Sequence, residues 1–382
     1  MSVPVPSTTK LPRHWRQRLR SEWMLVLFAA LALTLAAIDP QPLARYRTWA
    51  QWPTLAGLLG LLIAIQGVRD SGLVQHAAWA VVARAHSVRT LGLLLVSASA
   101  LLSMVLTNDA SLLLIIPLTA ALGALSNLPV LRMVILEALA VNAGATLSPI
   151  GNPQNLLLWQ HSSLSMAQFA WAMAPAFSVM LALVLALTWM WLPAQRVAIT
   201  PTTTAAPAIA QGLGRWSLLA LALMVLAMQL GLATWGAALL LAVGAWRARD
   251  CLRRVDWGLW LTFAAIFIAL GHLAALPLAG QVIDALALNR PGVLYTVGIL
   301  AAQAVSNVPA TVLLIDHVPN VLALATAVNV GGFGLVTGSL ANLIALRLAG
   351  QTHALRVFHQ VSIPFLLLCA PLVYLVTRML GA

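Results

Sequence analysis

The chain has 382 residues, of which 61% are hydrophobic and only 8% charged, against about 25% charged in an ordinary soluble domain. That balance excludes a folded soluble domain of any size. The net charge of +12 does not signal nucleic-acid binding, because the basic residues fall in short connectors between apolar runs. Cys251 and Cys369 stand far apart with no Cys-x-x-Cys or Cys/His spacing, so both read as ordinary thiols and neither a disulfide framework nor a zinc site is indicated.

A hydrocarbon core about 30 Å thick takes about 20 apolar residues per helix. The pattern predicts an all-α polytopic membrane protein with spans near 24–38, 53–68, 133–158, 168–192, 216–232, 234–247, 257–275, 320–347 and 357–378. Two more apolar stretches, 91–126 and 291–318, are interrupted in the middle, and segments 71–86 and 276–289 are amphipathic enough to lie along the interface. In outline, a basic N-terminus (1–23) precedes a first half (24–192), a Thr- and Pro-containing cytoplasmic linker (193–215) and a second half (216–382). The basic start followed by an apolar run resembles a signal peptide, but its long basic lead and the spans that follow favour a retained first helix.

Lys and Arg concentrate in short cytoplasmic loops. With the N-terminus inside, 17 of the 21 basic residues are cytoplasmic and only Arg45, Arg47, Arg290 and Arg378 are outside. The expectation is a multi-pass protein of a bacterial-type inner membrane, N-terminus cytoplasmic and C-terminus outside.

The chain also repeats. A shift of 187 sets AVNAGATLSPIGNPQNLLL (140–158) over AVNVGGFGLVTGSLANLIA (327–345) without a gap, with 7 of 19 positions identical, among them Asn142/Asn329, Gly144/Gly331, Gly151/Gly338 and Asn155/Asn342. A shift of 199 sets LTNDASLLL (106–114) over VSNVPATVL (305–313). Each half therefore carries a polar Thr/Ser-Asn pair inside an apolar stretch and then a span interrupted by Gly and Asn. On the span count the first interrupted span runs outward and the second inward, which makes an inverted-repeat secondary transporter with two re-entrant hairpins and two broken transmembrane helices.

An interrupted helix at membrane depth is tolerated only where protein buries it or it lines a wet cavity. Each break also creates a helix N-terminus, worth about half a positive charge. Four breaks occur: at Thr107, Asn108 and Asp109; at Ser148, Gly151, Asn152 and Asn155; at Ser306 and Asn307; and at Thr337, Gly338, Ser339 and Asn342. Brought together, four N-termini would face one small anion, while side-chain and carbonyl oxygens hold a coupling ion, with sodium expected at Asn108, Asp109, Asn152 and Asn307. Asp109 is the only acid in the four motifs; its counterpart is Val308. Intramembrane acids are functional by default, so Asp109 is the expected coupling residue. The alternative is that 91–126 forms two ordinary spans with Thr107–Asp109 in a surface turn.

Other polar residues read more plainly. Glu137, five residues after Arg132, is expected to snorkel or pair with it near a helix end. His272, Asp316 and His317 are expected in interfacial hydrogen bonds, and Trp159 with the scattered tryptophans in an aromatic belt.

LTNDASLLLIIPL, SPIGNPQNLLLW, SNVPATVLL and TGSLANLIA resemble the ion transporter superfamily, which includes divalent-anion/sodium symporters, citrate–metal symporters, arsenite efflux permeases and a branch of sodium/proton antiporters. The resemblance runs from about residue 55 to the end, and PIGNPQN looks nearest to the citrate-transporter-like anion permeases. It implies a homodimerising scaffold, a transport domain that moves by an elevator-like step, Thr107–Asp109 and Ser306–Asn307 as hairpin tips, and Ser148–Asn155 and Thr337–Asn342 as unwound helix centres. Both tips of the dicarboxylate symporters read Ser-Asn-Thr; here they read Thr-Asn-Asp and Ser-Asn-Val, and the added acid resembles the arsenite and sodium/proton branches.

The function expected is secondary transport of a small organic or inorganic anion, coupled to sodium or protons, by a homodimer in contact with membrane lipid, with no cofactor and no nucleic-acid partner. A sodium/proton antiporter or arsenite-type efflux permease using Asp109 is the alternative. An intramembrane enzyme is disfavoured, since no His-Glu-x-x-His or Gly-x-Gly-Asp motif occurs.

Overall fold

A computed structural model describes residues 23–73, 76, 87–125, 128–196, 208–351 and 353–380. The expected basic N-terminus, most of the interfacial segment 71–86 and the centre of the linker, 197–207, lie outside the described residues. Within them the chain is helical, and the only β-type pairing is a single bridge between Ser87 and Arg196. It is a multi-pass membrane protein: among the described residues six helices are long and apolar enough to cross a bilayer, and several shorter apolar helices accompany them.

One bundle is built from α1 (Trp23–Ile38), the short α2 (Leu43–Trp49) and α3 (Trp52–Asp70). Later in the chain α9 (Gln211–Gln229), α10 (Ala233–Arg247), α11 (Arg249–Arg254), α12 (Trp257–Ala275) and α13 (Pro277–Asp284) join it, with α12 against α1 and both α9 and α10 against α3. Helix α3 is buried almost all round, from Thr54 to Val68. A helix hydrophobic on every face belongs in the centre of such a bundle.

The second bundle starts with α4 (Val88–Val105) and α5 (Asn108–Leu125), a helix–tip–helix hairpin, followed by α6 (Val130–Ala145), a break, α7 (Pro153–His161) and the long α8 (Met166–Trp191). The same order recurs in α14 (Pro291–Val305) and α15 (Asn307–Leu314), then α16 (Val321–Val330), a break, α17 (Leu340–Ala349) and the long α18 (Ala354–Met379). The long helices close each set with a single buried stripe. On α8 it is Phe169, Met173, Ala176, Met180, Val184 and Thr188, the three-and-four spacing of one helix face, while Trp171, Trp189 and Met190 on other faces are exposed to the surround.

Two expectations need correction. Glu137 is wholly buried and accepts a hydrogen bond from Thr119 Oγ1 rather than pairing with Arg132. Arg132 turns outward, donates to the Trp191 carbonyl and stacks over its ring. Five residues is 140° around a helix, so the two side chains leave on different faces. Trp159 is also buried, at 4% exposure, with Nε1 donating to the Leu164 carbonyl, and so stands apart from any interfacial belt.

Candidate functional site

Each tip is a short unwound step between two consecutive helices. In the first, Leu106 is extended and Thr107, Asn108 and Asp109 are 3%, 4% and 6% exposed, so the tip is not a surface turn. Thr107 Oγ1 accepts from the Ala110 N–H and Asn108 Oδ1 from the Asp109 N–H, which caps the new helix. The Asn108 N–H donates to the Gly151 carbonyl at 2.9 Å, stitching this tip to the first break. In the second tip Ser306 adopts φ +77°, a left-handed conformation that side chains rarely take. Strain of this kind costs about 1–3 kcal/mol and persists only where surrounding structure holds it.

The two breaks are held by asparagines. Asn142 Nδ2 donates to Asn342 Oδ1 at 2.9 Å and to the Ala138 carbonyl. Asn329 Nδ2 donates to Asn155 Oδ1 at 2.6 Å and to the Ala325 carbonyl. Adding 187 to the first pair of contacts gives the second, with the halves exchanged. The relation extends further: Asn155 Nδ2 donates to the Ala145 carbonyl, as Asn342 Nδ2 does to that of Gly332. Packing obeys it too. A Cβ on Gly144 would lie 2.1 Å from the Ala100 carbonyl oxygen and 2.4 Å from Ser103 Oγ, and one on Gly331 would lie 2.5 Å from Ala302 Cβ and 3.2 Å from the Ile299 oxygen. Ala100 and Ser103 map onto Ile299 and Ala302 by the 199-residue shift of the hairpins. The sequence repeat is thus a spatial one, with each broken helix crossing the other through amides.

Some contacts break the symmetry. Asn152 Oδ1 caps α7 by accepting from the Asn155 N–H, and its Nδ2 donates to Asn329 Oδ1 at 2.8 Å. The corresponding Ser339 does not cap α17 with its side chain, and Ser306 does not cap α15. In the second half Gln303 takes over, donating to the Gly331 and Phe333 carbonyls, accepting from the Leu335 N–H and offering its own carbonyl to Thr337 Oγ1.

All four interruptions meet at one cavity. It is lined by Asn108 and Asp109 from the first tip, Pro153 and Gln154 from the first break, Ser306 to Pro309 from the second tip, and Ser339 and Leu340 from the second break. Met24 of α1 and Thr262, Phe263 and Ile266 of α12 close it from the first bundle. Its volume, about 20 Å³, is near that of a single water site. Five buried side-chain atoms among the described residues have no hydrogen-bond partner, and three of them, Asp109 Oδ1, Gln154 Oε1 and Ser339 Oγ, belong to residues of this cavity. Orphaned buried oxygens are costly unless a ligand completes them. Four helices, α5, α7, α15 and α17, begin here, so their positive ends face the same space as the Asp109 carboxyl.

Of the expected site residues, Asn108, Asp109, Ser306, Asn307 and Ser339 line the cavity. Thr107, Ser148, Gly151, Asn152, Asn155, Gly338 and Asn342 are buried behind it as support. Thr337 is exposed, drawn away by its bond to Gln303. Gln154 and Thr262 line the cavity as well, beyond the residues the sequence motifs point to. Gln154 sits within the PIGNPQN string, whereas Thr262 lies in an uninterrupted apolar helix and carries no local signal. No cluster of three or more His, Cys, Asp or Glu side chains able to hold a metal occurs among the described residues.

The citrate transporter family matches residues 16–321. This chain belongs to that family. It is 42% identical over 336 residues to the inner membrane protein YbiR of Escherichia coli K12, covering 87% of this chain and 89% of that one. An uncharacterized transporter of Methanocaldococcus jannaschii is 28% identical over 85% of this chain and 88% of its own length. Among solved structures, the YdaH transporter of Alcanivorax borkumensis, described as having an unusual topology, superposes with a TM-score of 0.53 at 17% identity, covering 94% of this chain and 97% of that one. That likeness concerns the fold. The chain is a membrane transporter rather than an enzyme.

Proposed function

We propose that this protein is a secondary active transporter that moves a small organic or inorganic anion across the inner membrane, coupled to sodium or protons. The observation that carries the reading is the convergence of both tips and both breaks on one buried cavity with three orphaned oxygens. Four helix N-termini supply positive potential for an anion without Arg or Lys. Asp109 Oδ1, Gln154 Oε1 and Ser339 Oγ form a hard oxygen set that suits sodium, with Asn108 and Asn307 beside them. In this reading the tips are re-entrant, the halves are inverted, the N-terminus is cytoplasmic, and the working unit is a homodimer. A cavity of about 20 Å³ holds ion-sized contents, so a polycarboxylate requires the first bundle to withdraw Met24, Phe263 and Ile266.

The second reading, cation/proton exchange or arsenite-type efflux at Asp109, is supported by the unpaired Asp109 carboxyl and by the absence of a second acid at Val308. A thermal-stability screen of the purified protein against sodium, pH, phosphate, sulfate, citrate, succinate and arsenite separates them. A shift specific to phosphate, sulfate, citrate or succinate supports the first reading, and a response confined to sodium, pH and arsenite supports the second. In liposomes, Asp109→Asn should lose cation or proton dependence; wild-type dependence would remove Asp109 from the coupling role.

A further inference from the structure

We infer that Glu137 is a proton-binding site of this transporter, separate from the cavity between the tips. Glu137 lies midway along α6, is 0% exposed and meets Thr119 of α5; its neighbours on α6, Val134, Ala138 and Val141, join Leu112 and Ile116 of α5 and Ala341 of α17 in one buried apolar cluster. Thr119 Oγ1 of α5 donates to its Oε1, and its Oε2 has no partner. A carboxylate without a counter-charge is very expensive in such surroundings, whereas the acid is not.

Counter-charges are accounted for on every helix packed against α6. Arg89 of α4 stacks over Trp189, and Arg132 of α6 itself over Trp191. Asp109 sits at the far end of α5, in the cavity. On α18, His359 accepts from the Val336 N–H. Arg347 of α17 and Arg356, Tyr374 and Arg378 of α18 make no ion pair with Glu137. Helix α8 brings no charged side chain.

The two oxygens of Glu137 divide the work. Oε1 keeps its bond from Thr119 in either protonation state, so the carboxyl does not rotate, and Oε2 gains or gives up the proton. Uptake forms one O–H bond with a proton from water, and release returns it; no other reactant takes part. Both α5 and α6 carry cavity motifs at their ends, Asn108–Asp109 and the first break, so a charge change at Glu137 acts on the same two helices.

The test is infrared difference spectroscopy of the purified full chain during a pH titration. Wild type should show a protonated-carboxyl band that titrates reversibly, persists in Asp109→Asn and is lost in Glu137→Gln, with proton uptake lower by one per chain. Glu137→Gln keeps the acceptor for Thr119, and its helix content and melting temperature check folding. Thr119→Val is the second variant: it should shift the band in frequency and in midpoint without abolishing it. A carboxyl band that stays constant throughout the pH range in which the protein is folded, or one that disappears in Asp109→Asn but survives in Glu137→Gln, overturns the inference. Neither outcome depends on which anion is carried.

Discussion

Asn329→Ala should destabilise the protein about twice as much as Asn142→Ala, although the two residues are repeat equivalents. Removing Asn329 strands two buried groups: Asn152 Nδ2, which donates only to Asn329, and Asn155 Oδ1, which accepts only from it. Removing Asn142 strands one, Asn342 Oδ1. At about 1–3 kcal/mol for each stranded group, the losses are about 2–6 and about 1–3 kcal/mol. Side-chain hydrogen bonds between membrane helices average nearer 0.6 kcal/mol, so the low end is the better guide and the ratio is the firmer prediction. The assay is thermal melting of the two variants in the same detergent, where each kcal/mol lowers the midpoint by about 2 °C for a chain of this size. The double variant Asn152→Ala, Asn329→Ala should lose less than the sum of its single changes, because it no longer strands Asn152 Nδ2. Equal losses for the two single variants, or a greater loss in Asn142→Ala, would refute the hydrogen-bond assignment at the crossing.

Gly144→Ala should cost at least about 1–3 kcal/mol by overpacking, since its Cβ meets a backbone carbonyl at 2.1 Å, whereas Gly212→Ala, with nothing within 4 Å, should melt like wild type. Cys251 and Cys369 are both buried, and burial pushes the Cys251 thiol, in the connector helix α11, up to about 11; maleimide labelling should therefore be slow for both until the protein is unfolded. Hydrogen bonds from Gln41 and then from His272 hold the Asp39 carboxyl below its ordinary value. A depressed folded value means stability present above the unfolded value and lost as pH falls through the folded one. The melting difference between wild type and Asp39→Asn should accordingly shrink on acidification; a difference that grows would contradict it.

The repeat was legible because amide and glycine identities are rare in an apolar sequence: Asn142, Asn155, Asn329 and Asn342 are the residues that cross between the broken helices. The spans were legible from length, since α1, α8, α12 and α18 each begin and end within three residues of the apolar runs. Glu137 was misread because nearness in sequence is not nearness on a helix, and five residues place Arg132 on another face. Thr337 was expected beside Ser339, but a 3-10 turn at Val336–Gly338 directs it toward Gln303. Thr262 could not be found from sequence: an isolated threonine in a membrane helix usually satisfies its hydroxyl on the preceding turn, as this one does on the Gly258 carbonyl, and its place at the cavity is set by packing between bundles. The short α2 was missed for lack of length, being only 7 residues between Pro42 and Ala50.

The exchanged asparagine contacts bear on what the peptide linker is for. Each half carries amides whose only side-chain partners lie on the other half, so the contacts that join the halves at the crossing are made without the covalent connection. A chain cut within 197–207 should still purify as one particle when both fragments are made together, and either fragment made alone should be degraded. On that outcome the protein is, physically, a pair of related subunits translated as one chain.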